Sequence, residues 1–587
     1  MDYIINNEET HSVEMTDYPE PVDVLNQGEK RNRQAFTKGE AKEINACLQR
    51  IKHIKQSLQS SGEEFTSMDT QDEIPIQNQL CNKGSQKKNH NNKFIEFASA
   101  KVLFLFNTFI ESQNLLILHP DSYYNKRMLT VEKIGGTSMS QFSDCLNNII
   151  IGNHTQENMY NRIFVVSAYN NVTNWLLEHK KTGESGIYTK FRYNEDYDSA
   201  LDELYYKLLT INKGFESIGL SQDEANGFIQ YRIKQAKTYL YSMHTVIASG
   251  YVDKDNIYLA AREILASIGE AHSAWNSVNI LNNHGINATF IDLCGFNDNE
   301  PLTIDERIHN AFKGIDFNNT ICIATGYTKG TEGIMRAFDR GYSEVTFSKI
   351  AVDVKADEAI IHKEFHLSSA DPNLVGIDKS IPVGRTNFVI ADQLADIGME
   401  AIHPKAAKPL ELAGINIRIK NTFDPSHPGT LISNDYVSPE PKIEIVSGTN
   451  RVLAFEIHDP MMVGEVGYDL RIMEVLKKHN VSYILKSTNA NSITMVAWDK
   501  PYVHRMLEEL RKAVYQLTVK PVAMVCAMGT NIAHPGFLCR AAKALSDKGI
   551  NIECFCQSLK QINMQFVIER EHYAEAVIAL NNMLCNE

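Results

Sequence analysis

Across residues 128–435, short apolar runs alternate with longer stretches in which apolar positions recur every three or four residues. Arg162-Ile-Phe-Val-Val-Ser-Ala168 and Thr320-Ile-Cys-Ile-Ala-Thr-Gly326 are continuous apolar runs that end in small residues. They predict strands buried on both faces of a mostly parallel sheet, with ligands collecting at the carboxyl ends. Between them, residues 198–270 read as helical by periodicity. Pro428-Gly429 and Ser438-Pro-Glu-Pro-Lys442 punctuate the end of this α/β domain.

The tail divides into two units of the same order. Residues 443–517 predict strand, helix (465–479), strand (482–486), strand (492–498), helix (501–512) and strand. Residues 520–587 repeat it, with strands at 523–526, 551–556 and 563–569 and helices at 536–548 and from 573. Two βαββαβ halves in tandem are ferredoxin-like modules, and a repeat of this kind points to paired regulatory units.

Residues 1–125 follow neither pattern. They are rich in Asn, Gln, Glu and Lys and predict a polar, partly disordered extension with one helix over 38–58. The apolar stretch at 102–118 is broken by polar residues and reads as an amphipathic or buried helix rather than a bilayer span. At 587 residues the chain is too long for one core. Its net charge of −14 argues against a nucleic-acid surface, which needs a concentrated basic face. The amino terminus lacks the basic start and apolar core of a signal peptide. Ten cysteines with no CxxC pair and no metal-ligand spacing fit a reducing cytoplasm and predict no metal site. Cys554 and Cys556 share one strand face, as small core residues do.

Candidate chemistry begins at Lys133-Ile-Gly-Gly-Thr-Ser138. The pattern predicts a strand ending in Gly135-Gly136, then Thr137 and Ser138 leading to a helix near Gln141. Paired glycines let backbone N–H groups reach phosphate oxygens, and Lys133 adds a point charge beside them. The Walker A spacing is missing. Gly-Gly-Thr-Ser alone is also what an ordinary tight turn requires, but a lysine before such a turn gains nothing structurally.

Further motifs follow in order: Val165-Val-Ser-Ala168 with Thr173-Asn174, Gly269-Glu270, Thr325-Gly326, Asp339-Arg-Gly-Tyr-Ser-Glu344, Ala370-Asp-Pro372, His403-Pro404 and Asn421-Thr-Phe-Asp-Pro425. Together with Lys133–Ser138 the set resembles the aspartate kinases, over the chain from Leu129 onward, and within them the subgroup found beside ectoine-synthesis genes. The resemblance implies an amino-acid-kinase fold followed by two ACT domains. It implies transfer of the γ-phosphoryl group of ATP, with Mg²⁺, to L-aspartate. It assigns Lys133, Gly135, Gly136, Glu344 and Lys363 to the nucleotide, with Glu344 as a candidate Mg²⁺ carboxylate. Glu270 takes the substrate ammonium and Arg340 the α-carboxylate, with Thr137, Ser138 and Ser343 around the substrate; Lys133 and Arg340 are the catalytic pair. In such tails an amino-acid effector sits between ACT modules of two chains, which implies a homodimer or higher homo-oligomer. Met461, Met462, Val466, Gly467 and Tyr468 then line one edge, and Asn551, Ile552 and Gln557 the other. Where lysine-sensitive relatives carry an acid, this chain has Ile484, so weak or absent lysine inhibition is expected.

Two departures from the family pattern stand out. Arg-Gly-Gly-Ser-Asp becomes Arg340-Gly-Tyr-Ser-Glu344, with Tyr342 adding bulk, and Thr-Asp-Val-Asp-Gly becomes His362-Lys-Glu-Phe-His366. They leave two other readings open: a catalytically inactive amino-acid sensor on the same fold, or another enzyme of that fold.

Overall fold

The computed structural model describes residues 128–585 apart from 153, 156–157, 180–181, 339–340 and 400. The helices expected over 38–58 and 102–118 lie outside the described residues.

The apolar runs build an eight-stranded sheet: β1 (Thr130–Ile134), β2 (Arg162–Val166), β3 (Ala288–Ile291), β4 (Ile321–Thr325), β5 (Glu358–Lys363), β6 (Arg385–Asn387), β7 (Asn416–Asn421) and β8 (Thr430–Ser433). Their order is β3-β4-β2-β1-β5-β7-β8-β6. Neighbours from β3 to β7 are parallel, and β8 turns antiparallel to β7. Every residue of β2 and β4 is buried, which is why these strands show no alternation in sequence. Registers of Ile134 with Val166, Val166 with Thr325, and Ile134 with His362 bring the carboxyl ends of the central strands to one level.

The first helix, α1 (Gly136–Ser140), starts directly after β1, five residues earlier than the sequence suggests. The helical stretch between β2 and β3 is three long helices, α2 (Tyr197–Gly214), α3 (Gln222–Ala248) and α4 (Lys254–Asn283). The last runs well past the expected end because buried residues continue to Leu281. Further on, α5 (Tyr342–Asp353), α6 (Phe388–Asp396) and α7 (Pro404–Ala413) carry the remaining parts of the site and its link to the tail.

The tail forms one six-stranded antiparallel sheet from β9 (Ile445–His458), β10 (Leu485–Thr488), β11 (Ser492–Trp498), β12 (Gln516–Met528), β13 (Cys554–Cys556) and β14 (Asn563–Glu569), in the order β10-β11-β9-β12-β14-β13. Its helices are α8 (Tyr468–Lys478), α9 (Pro501–Ala513), α10 (Phe537–Ser546) and α11 (Tyr573–Cys585). The two modules are interleaved rather than consecutive. β9 and β12 pair along their whole lengths, from His458 with Gln516 to Ile445 with Met528. The boundary expected near 517–520 therefore falls inside a continuous strand, and the closing strand of the second module is the amino-terminal half of β9. One sheet face packs on Ile390 and Leu394 of α6 and on Ile397 just past its end. The other face is covered by α8 and α9 over the first module and by α10 and α11 over the second. Cys554 and Cys556 pack toward the α6 side and Phe555 toward the opposite face, as strand alternation requires.

Candidate active site

Lys133 is the next-to-last residue of β1, and its side chain is 12% exposed at the sheet's carboxyl edge. Its Nζ lies 3.3 Å from Glu344 Oε1, while Glu344 Oε2 accepts the backbone N–H of His403 at 2.6 Å. Burial works to raise the Glu344 carboxyl. Lys133, Lys363 and the His403 N–H outweigh it, so the pKa lies below the ordinary value and the carboxylate is ionised. Both its oxygens are thus engaged by protein groups. His403 is the N-cap of α7, where its Nδ1 accepts the Lys405 N–H, a structural role that its place before Pro404 suggests.

Glu270 projects from α4, which is tied to the end of β2 by Ser273 Oγ donating to the Ser167 carbonyl at 2.9 Å. It is 2% exposed. Oε1 accepts the Ser343 hydroxyl at 2.6 Å, whereas Oε2 is buried with no hydrogen-bond partner. A side chain at Gly326 would place its Cβ 3.0 Å from that oxygen, so the glycine keeps the space beside it open. Desolvation pushes the Glu270 pKa up to about 8, against the smaller opposing effects of the Ser343 hydroxyl, the Lys133 charge and the Tyr327 and Ala168 N–H groups. A buried carboxyl lacking a partner on one oxygen is costly unless a donor or cation arrives.

The glycine turn serves packing as well as ligand approach. A Cβ at Gly136 would stand 2.6 Å from the Ala168 carbonyl, so α1 begins against the end of β2 only because that side chain is missing. Gly135 is extended and open. Thr137 is exposed at the site, but Ser138 is fully buried, with its hydroxyl 3.1 Å from Thr422 Oγ1 and 3.4 Å from Glu364 Oε1. Ser138 therefore joins the ends of β1, β5 and β7. On that side Lys363 ends β5 beside Asn421 of β7, and His366 lies 3.1 Å from Asp424 with its ring against that of His427. Phe365 and Phe423 stand exposed nearby in sequence.

Sequence reading did not find the charged network under this edge. Arg162 donates from Nε to Glu132 Oε1 at 2.7 Å and also binds the Ile149 and Ile150 carbonyls, while His362 Nε2 lies 2.8 Å from Glu132 Oε2. Burial opposes the charge on Glu132, but Arg162 and His362 hold its carboxyl well below the usual range. The signal was present in the sequence: Glu132 is a lone acid in a strand buried between neighbours, and such a charge needs a partner. One partner, His362, belongs to the run that departs from the family pattern.

Arg340 lies outside the described residues. Tyr342 does not crowd the ligand space. It is 3% exposed and its ring meets Tyr327 edge-on at 6.0 Å, because the first turn of α5 turns it into the core while Ser343 and Glu344 face the site. In the first tail module Met462 is buried, Met461 and Val466 are exposed, Gly467 caps α8 with φ of 80°, and the Tyr468 hydroxyl donates to Asp459 at 2.8 Å. Asn551, Ile552 and Gln557 flank β13 at the far edge of the sheet. That edge meets β10 within the same chain, where the Ser487 side chain bonds Cys554.

Lysines and acids gathered at the carboxyl ends of parallel strands, ahead of ferredoxin-like modules, are the layout of the amino-acid-kinase class. The amino acid kinase family profile matches residues 128–421 and an ACT domain profile matches 525–584. The aspartate kinase Ask_Ect of Stutzerimonas stutzeri is 46% identical over 464 residues, covering 78% of this chain and 97% of the relative. Aspartokinase 3 of Bacillus subtilis is 26% identical over 316 residues, covering 50% of this chain and 68% of its own. Among solved structures, the Clostridium acetobutylicum aspartate kinase aligns with a TM-score of 0.59 at 21% identity, covering 78% of this chain and all of that one. The Escherichia coli aspartokinase III solved with aspartate and ADP gives 0.57 at 20% identity, with 78% and 100% covered. The chain belongs to the aspartate kinase family. It transfers the γ-phosphoryl group of ATP to the β-carboxylate of L-aspartate, giving 4-phospho-L-aspartate, and the sensor reading falls away.

Proposed function

We propose that Glu270 is the receptor for the substrate ammonium, and that Lys133 with the Gly135 and Gly136 turn holds the transferring phosphoryl group. The observation that carries this is the buried Glu270 carboxylate, which among the described residues has the Ser343 hydroxyl and the Tyr327 and Ala168 N–H groups beside it but no cation in contact, and whose Oε2 borders the open space at Gly326. An incoming ammonium supplies the cation in contact that this buried carboxylate does not have. The aspartate β-carboxylate, with a pKa near ~3.9, is already ionised and needs no base. The barrier is the approach of one anion to another, so catalysis is positioning plus positive charge. Lys133 supplies that charge, and Glu344, held by the His403 N–H, keeps Lys133 aimed. That engagement makes Glu344 a holder of the lysine more than a metal ligand. Lys363 is the second cation on the nucleotide side.

Mg²⁺ fits such a site because it usually arrives on the nucleotide phosphates and takes only one or two protein carboxylates. Glu364, at the Ser138 turn, is the acid placed to do so. The ion would neutralise charge on the phosphate oxygens. Arg340 is assigned to the α-carboxylate by its place in the family motif, with Thr137, Ser138 and Ser343 nearby. A hydroxamate assay with ATP and Mg²⁺, run with and without aspartate, tests the whole reading: no aspartate-dependent acyl phosphate would sink it. Arg340→Lys should raise the aspartate KM about tenfold or more and leave the ATP KM nearly unchanged, since a point charge cannot reproduce a planar fork. Equal losses in both would assign Arg340 to the nucleotide.

Met461, Val463, Val466 and Leu470 are exposed together around the start of α8 and support burial against a second copy of the chain. Sedimentation should show a dimer or larger species. For control, Asp469 near this edge is already paired with Lys486, and Ile484 packs into the sheet core. With Asp469 engaged and Ile484 where lysine-sensitive relatives carry an acid, millimolar lysine should leave activity largely intact, while a neutral amino acid such as threonine is the better effector. Strong inhibition at micromolar lysine would overturn this.

A further inference from the structure

Away from the Met461–Tyr468 end, where β11 begins opposite His458, the other end of the first module carries an open surface pocket of about 540 Å³. It is lined by Arg451, Lys500, Arg570, Trp498, Asp499 and Tyr502. Three cations face one carboxylate, in a chain whose net charge is −14. Asp499 is already used by His504 and Arg570. Arg451 and Lys500 are exposed and have no ion pair among the described residues, and Arg570 Nε is buried without a partner. The Arg451 side is built by a register shift: Thr449 to Val452 of β9 oppose Met524 to Val522 of β12, one residue fewer. Bulges of this kind re-aim side chains at functional places.

The pocket also touches the catalytic half. Trp498 closes one wall, and a Cβ at Gly398, where φ is +81°, would stand 2.7 Å from its Cη2. From that turn the chain runs through buried Ala401 and Ile402 to His403, whose N–H holds Glu344, which in turn holds Lys133.

We propose that this pocket is a second regulatory site for a small anion bearing a planar ring, of the nucleoside monophosphate class, and that its occupancy acts through Trp498, Gly398 and His403 on Lys133. The Arg451 fork, 6.0 Å over the Trp498 ring, and Lys500 suit a phosphate, Arg570 adds charge while bound to Asp499 and the Val452 carbonyl, Trp498 and Tyr502 suit a base, and the volume lies in the range of small-molecule sites. The link to Lys133 rests on the active-site reading above; the binding itself does not.

The test is calorimetric titration of the full chain with AMP and with inorganic phosphate, the active site being saturated by a non-hydrolysable ATP analogue. One AMP site per chain is expected, at least tenfold tighter than phosphate, and weakened tenfold or more in Arg451→Gln/Lys500→Gln, whose exposed side chains leave the fold intact by circular dichroism. AMP should shift the aspartate KM of the unmodified enzyme several-fold, and Trp498→Phe should bind AMP with that shift lost. No AMP binding, or equal binding by the double variant, overturns the site. Phosphate binding as tightly as AMP overturns the ring requirement, and AMP binding without a kinetic shift overturns the coupling. AMP binding in a chain that fails the hydroxamate assay would leave the site standing and defeat the active-site reading instead.

Discussion

Lys133→Ala should lower kcat/KM for aspartate by several orders of magnitude while the fold is retained. A missing charge at a transferring phosphoryl group costs roughly 3–5 kcal/mol. The loss has two sources in this site. The phosphoryl group loses its cation, and Glu344 loses the partner that offsets its burial. Because the two residues touch, their effects should not add: Lys133→Ala/Glu344→Gln should be less impaired than the product of the single losses. Steady-state kinetics with a circular-dichroism melt of each variant checks both statements. Turnover near that of the unmodified enzyme would remove Lys133 from the mechanism.

Glu270→Gln should raise the aspartate KM about a hundredfold, equivalent to roughly 2–3 kcal/mol for a charged hydrogen bond in a buried site, with little change in the ATP KM. The pH dependence gives a sharper signature. Burial holds the free Glu270 carboxyl at about 8, so at pH 6 it is protonated and cannot receive an ammonium without first losing its proton. The sign follows: kcat/KM for aspartate should rise as pH increases toward 8 and level off above it, about tenfold per unit on the rising limb. In Glu270→Gln that limb should vanish. A pH profile for aspartate that is flat from 6 to 8 in the unmodified enzyme would show that this carboxyl does not meet the ammonium.

Much of the architecture was legible because it depends on local pattern. β2 and β4 announce themselves as unbroken apolar runs, β11 and β14 keep the expected bounds, and α11 begins where expected. The Lys133 turn was visible because lysine, two glycines and two hydroxyls stand in consecutive positions. What periodicity could not convey was which strand partners which. The second module borrows the first half of β9, more than 60 residues back from β12, since backbone pairing is satisfied by any strand of suitable length and apolar face.

The site divides the same way. The sequence by itself marked the Lys133 turn as candidate chemistry, while Glu270, Ser343, Glu344 and Lys363 became candidates through the family resemblance. Only the tertiary structure decided their states. Glu270 is an ordinary acid in sequence, and its raised pKa comes wholly from residues that enclose it from α4, α5 and the end of β4. Tyr342 looked like an obstruction until one turn of α5 put it into the core. Glu132, Arg162 and His362 lie far apart along the chain and become one network only when β1, β2 and β5 stand side by side. Burial and long-range charge contacts depend on the distances between strands, and those distances exist only in the folded chain.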